Sequence, residues 1–302
     1  MTHSKNFIYK ILKKITLGLI VTYSSLSAHS LWVNSFESKL GHGQRHSMVS
    51  IGWGHEIPMG DKLNSINGRV FIENFSFYDP SLKKYELYKP KFKPAKPSLD
   101  NKEFNIYKAD FAMQKIEFKD KAKKGVHQLE IKTKPTYYTM YIDSKNKQRL
   151  KLKPIDQLKD VKKVIASFKY QGFAKSYLTV GKWEQPKALG HDLEIIPLSD
   201  LSNVKVGDLL EFKVSFKAKP VSHSPKGEKY ATFWSSTYGQ DDGVRLFSYI
   251  KNGKTSFRVP SNGQWIINTY NIQNVTKDNE IKNLYGKTKT LANAATITFH
   301  VK

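Results

Sequence analysis

The sequence predicts a mostly β protein, two β-sandwich domains in series with the second immunoglobulin-like, on three observations. Apolar and polar residues alternate in short runs bounded by Gly, Pro, Asn or Asp, the pattern of half-buried strands. Beyond Gly181 such runs recur at regular spacing, about seven in roughly 110 residues, as an immunoglobulin-like sandwich requires. Only one segment carries a helical period.

In the first half, the alternating runs are Val70 to Tyr78, Gln128 to Lys132 and Tyr137 to Ile142. The helical period falls on Leu158, Val161, Val164, Ile165 and Phe168 in a lysine-rich background, which predicts one short surface helix packed on a sheet. Lys89 to Pro97 reads as a loop rich in lysine and proline. In the second half, Leu193 to Leu198 reads as a strand closed by Pro197, and Val206-Gly207-Asp208 as a turn opening the strand Leu210 to Phe216. Further strands are expected at Tyr230 to Trp234, Val244 to Ile250, Thr255 to Val259, Trp265 to Tyr270 and Thr296 to Val301, with tight turns at Asn252-Gly253 and Asn262-Gly263. The pattern breaks near Trp183, Pro186 and Gly190, which sets the expected domains at 29–185 and 186–302.

Residues 1–28 have the layout of a secretory signal peptide: Lys5, Lys10, Lys13 and Lys14 without an acid, an apolar stretch from Ile15 to Val21, then small and polar residues to Ala28. That stretch is far short of the roughly 20 residues of a spanning helix, so the mature chain is expected in the periplasm with no membrane span. There is no cysteine, which excludes disulfides, thiolate metal sites and a lipidated N-terminal Cys. Formal charge is +24, or +20 without the four leader lysines. Export makes nucleic acid the poorest of the anionic partners that such a charge could serve.

No catalytic residues are expected: Gly-x-Ser-x-Gly, Gly-x-Gly-x-x-Gly and Walker sequences are all missing, so the chain is read as a non-enzyme. Histidine is the informative residue. Cleavage after Ala28 would make His29 the first mature residue, presenting its amine and a ring nitrogen together, a chelate that suits copper or nickel. The cut that Ser25 and Ser27 also allow would leave Ala28 first and His29 second. His55 lies in Gly52-Trp53-Gly54-His55-Glu56, where the glycines allow a rigid loop, and His191 in Gly190-His191-Asp192 at the start of the second half. His42 and His46 stand four apart among glycines, a spacing that proves little outside a helix.

Ala28-His29-Ser30-Leu31-Trp32-Val33-Asn34, Gly52-Trp53-Gly54-His55-Glu56-Ile57-Pro58 and Gly190-His191-Asp192-Leu193-Glu194-Ile195-Ile196-Pro197-Leu198 resemble the NikM-like family of periplasmic proteins associated with nickel or cobalt uptake. The resemblance covers nearly all of the mature chain, though the Lys89 to Lys96 insert departs from it. It implies an accessory of transition-metal import with a membrane metal transporter as partner, and His29, His55 and His191 as the matching histidines. With Glu56, these would form a site for nickel or cobalt, with copper or zinc also suited. One ion per chain is expected, with affinity falling below about pH 6 and at least a tenfold loss in His55→Ala or His191→Ala. The alternative is a β-sandwich module that holds an anionic glycan, lipopolysaccharide or acidic protein on its lysine-rich surface, a binding that salt would weaken steeply.

Overall fold

The computed structural model describes residues 29–38, 46–57, 60, 70–91, 96–221, 230–235 and 244–302. The expected signal segment and His42 lie outside them. Strand is the dominant structure, over more than half of the described residues. In order, the strands are β1 (Ser30–Ser38), β2 (His46–Gly54), β3 (Ile72–Tyr78), β4 (Lys84–Glu86), β5 (Pro97–Asp100), β6 (Asn105–Tyr107) and β7 (Gln114–Glu117). There follow β8 (Gly125–Thr133), β9 (Thr136–Asp143), β10 (Gln148–Lys151), β11 (Val161–Val180), β12 (Leu193–Pro197) and β13 (Leu209–Phe216). The last are β14 (Lys219–Pro220), β15 (Tyr230–Ser235), β16 (Val244–Tyr249), β17 (Lys254–Arg258), β18 (Gly263–Asn274) and β19 (Thr290–Val301). Every alternating run read from the sequence is a strand, and Asn252 and Gly253 take the two positive φ values, 50° and 72°, of a tight hairpin turn.

The expected surface helix is not there. Its residues open β11, and the physical reason is visible in the pairing. Against β9, the register slips between Val161 and Lys163 and again between Val164 and Ala166. Each bulge inserts one residue, so the inward face advances by three positions instead of two and imitates a helical period. Among the described residues, a single 3-10 turn, Ile155–Gln157, is all the helix that precedes it.

A ten-stranded sheet forms the middle of the molecule, in the order β16-β15-β18-β19-β11-β8-β3-β4, with β9 paired onto the first half of β11 and β10 paired onto β9. β11 and β19 run parallel from Phe168↔Thr290 to Ser176↔Thr298. This corrects the division at 185/186: strands from both sides of it share one sheet. The second half is therefore no self-contained immunoglobulin-like sandwich.

Smaller sheets cover the two faces. On one, β12, β13, β14 and β17 place Leu193, Ile195, Phe212, Val214 and Phe257 against Phe173, Trp265, Ile267, Ile297 and Phe299. On the other, β1, β2 and β7 place Leu31, Val33, Val49, Ile51 and Trp53 against Phe75, Leu129, Ile131, Ala174 and Leu178. Alternation on β11 sends Ser176 to Ser35 of β1 and Lys175 to Glu194 of β12, from opposite faces. Burying whole side chains of this size stabilises by about 1.5–3 kcal/mol each, so both cores hold the layers together.

Candidate functional site

Antiparallel register decides where the first two histidines go. β1 and β2 pair from Ser38↔His46 to Ser30↔Gly54, so the next pair outward is His29 and His55. Their rings lie 4.3 Å apart between centroids, tilted by 50°. Trp53, two residues back on the same face as His55, stacks on the His29 ring at 5.4 Å and 16°. His55 is exposed and His29 partly so, which leaves the pair at the surface on a buried tryptophan. The Trp53 indole N–H is buried with no acceptor among the described residues, an unusual donor to leave beside two imidazoles.

Gly52 and Gly54 lie in β2 and not in the loop expected of them, and Gly52 serves a close approach instead of a turn. Gly52 faces Trp32 across the ladder, and a Cβ there would lie 2.0 Å from the indole Nε1 of Trp32. That indole is fully buried and donates to Asn34 Oδ1 at 2.8 Å. Trp32 also packs with Ile266 and Ile57, so the chain leaving His55 is pinned two residues further on. β1 is in turn anchored by its outer edge to the large sheet. The Thr296 hydroxyl donates to the Leu31 carbonyl, 2.6 Å, and His300 Nε2 donates to the Ser35 carbonyl, 2.7 Å.

His191 is elsewhere. It is buried, stacked on Phe173 at 4.7 Å, with Nε2 2.6 Å from Glu130 Oε1. Phe173 belongs to the face of the large sheet that β12 and β13 cover, so the sheet stands between His191 and the His29–His55 pair. Glu56 is exposed next to His55. Among the described residues, no three His, Asp or Glu side chains converge as a metal-holding group. The expected set His29, His55, His191 and Glu56 is thus reduced to its first two members. His191 does not meet the other two histidines, because its buried ring is held by the Glu130 carboxylate on the opposite face of the sheet.

Sequence reading missed that buried network. Tyr78 OH donates to Glu130 Oε2 at 2.8 Å, and Lys175 Nζ donates to Glu194 Oε1 at 2.8 Å. Glu194 also accepts from the backbone N–H groups of Leu189 and Gly190. Burial pushes both carboxyls up, but the pull of His191 and Tyr78 on Glu130, and of Lys175 and the Leu189 amide on Glu194, holds each below its ordinary value. Burial draws the Lys175 ammonium below its usual range against the attraction of Glu194. One signal could have found it: Glu130 alternates with Leu129 and Ile131 in a strand buried on both faces, where a carboxylate needs a partner.

No helix among the described residues is long and apolar enough to cross a membrane. No curated protein matches the chain. A family model described as a domain of unknown function, DUF4198, matches residues 26–273, a span that takes in the histidine pair, the buried network and both sides of the 185/186 division. On that match the chain belongs to the DUF4198 family.

Proposed function

We propose that the protein binds a first-row transition-metal ion, nickel or cobalt with copper as the close competitor, at His29 and His55, and serves as a periplasmic accessory of metal uptake. The observation that carries this is the 4.3 Å approach of two surface imidazoles whose positions are set by strand register. Imidazole nitrogens bind such ions at about 2.0–2.1 Å, so two ligands of one ion stand at most roughly 4 Å apart. With the ring centroids 4.3 Å apart, turning the two surface rings about their side-chain bonds would bring one nitrogen of each within that span. Processing after Ala28 would add the amine of His29, making three nitrogen donors, a set that suits nickel, cobalt and copper better than magnesium or calcium.

Two donors on adjacent antiparallel strands, open to solvent, suit an ion that is taken up and passed on more than one locked in a closed structural cage. A ligating imidazole must be neutral, so acid releases the ion. The membrane metal transporter remains the partner that this reading calls for.

Calorimetric titration of the mature protein, starting at His29, with nickel, cobalt, copper and zinc tests the proposal. One ion per chain is expected, with affinity reduced at least about tenfold by His55→Ala. His191→Ala, compared at a temperature where it stays folded, is expected to bind as the wild type does. Extending the mature chain by one residue ahead of His29 removes the amine chelate and weakens copper and nickel most. Absence of heat with all four ions, or equal binding by His55→Ala, would contradict it.

A further inference from the structure

Residues 83–124 carry thirteen lysines against six acids, and within them β5 and β6 form a two-stranded sheet that pairs with no other strand. The hairpin leaves the body at a closed neck. Tyr88 OH donates to Asp110 Oδ2 at 2.5 Å, the Tyr88 N–H donates to Gln114 Oε1, and Gln114 Nε2 donates back to the Tyr88 carbonyl. At the tip, Asn101 Oδ1 accepts from the N–H groups of Glu103 and Phe104, and Ser98 Oγ donates to the Ile106 carbonyl. The hairpin is a built element that follows the expected Lys89 to Pro97 loop and that sequence reading did not identify.

Leu99 pairs with Ile106, and Phe104 lies two residues from Ile106, so the three share one face. They are 45%, 49% and 51% exposed in the order Leu99, Ile106, Phe104. The acid Asp100 pairs with Asn105 and stands on the other face. Lys91, Lys96, Lys102 and Lys108 are exposed around the hairpin and make no ion pair among the described residues. An exposed apolar face on a hairpin flanked by exposed lysines with no ion pair among the described residues fits a surface that offers acyl chains beneath a layer of negative headgroups.

We propose that this hairpin docks the protein on anionic lipid bilayers, Leu99, Phe104 and Ile106 entering the headgroup boundary and the lysines meeting lipid phosphates. Apolar burial and electrostatic attraction add in such binding, and neither is sufficient alone at these sizes. Each lysine near a charged bilayer contributes on the order of fivefold in affinity. The proposal is independent of the histidine pair: it assigns a location on a membrane surface, whatever ion the protein carries.

The test is co-sedimentation of the full mature protein with vesicles of phosphatidylcholine and phosphatidylglycerol in equal parts, against phosphatidylcholine alone. Binding is expected only to the anionic vesicles. The triple variant Leu99→Ser, Phe104→Ser, Ile106→Ser should weaken it at least about tenfold, and Lys91→Gln with Lys96→Gln about as much. Because the chain has no cysteine, Ile106→Cys and Asn105→Cys can each carry a polarity-sensitive fluorophore. A blue shift on vesicle binding is expected at 106 and not at 105. Undiminished binding by the serine variant, equal shifts at both positions, no binding to anionic vesicles, or hairpin-dependent binding to a soluble polyanion in place of vesicles would each overturn the proposal.

Discussion

Gly52 illustrates how one residue governs the site without touching it. A methyl group at that position would collide with the indole of Trp32, which is locked by Asn34 and by Ile266. Gly52→Ala is therefore expected to cost about 1–3 kcal/mol of stability through overpacking, read as a shift in the urea midpoint. Lys175 poses the opposite problem, a buried cation whose removal strands a buried carboxylate. Lys175→Ala should destabilise by roughly 3–5 kcal/mol, measured in the same way, whereas an apolar replacement of both Lys175 and Glu194 should cost less. His55 was legible as a candidate from its glycine setting. The meeting of His29 with His55 was not, because it follows from a register that only the folded ladder fixes.

At the scale of elements, alternation made most strands visible, since one face of each is apolar and the other polar. β11 defeated that reading through its two bulges, which lengthened the apolar repeat from two to three. β8 misled in another way: its polar positions look solvent-facing, yet both faces of the strand are covered, so Glu130 reaches His191 and Tyr78 instead of water. These two carboxyls contribute to the acid response of the molecule. Glu130 and Glu194 are held below their ordinary values, so each adds stability above its unfolded value, about pH 4.3, and loses it as pH falls through the folded one. Urea midpoints should fall most steeply below about pH 4, after a smaller decline below about pH 6.5 from His127, whose proton affinity burial lowers in the folded state. In Glu130→Gln and Glu194→Gln, the midpoint at neutral pH should be lower and the drop on acidification smaller.

For the whole molecule, the decisive pairing is the parallel contact of β11 with β19, whose partners lie more than a hundred residues apart. Local patterns report strands and turns but say nothing of which distant strands meet, which is why the sequence suggests two domains where the structure has one continuous sheet. Residues 29–185 alone would leave β11 with a bare edge and Phe173 without its covering layer. No cooperative thermal transition is expected from either half by itself. The layered arrangement also separates the two histidine environments, with the open pair on one side of the sheet and the buried imidazole on the other. Following the histidine ring signals by NMR while nickel or copper is added to the mature protein tests that separation and the metal assignment together. The rings of His29 and His55 should broaden or shift first and in step with one equivalent of ion, with His191 unchanged. Early broadening of His191, or rings of His29 and His55 that stay unaltered as the ion binds, would contradict the account.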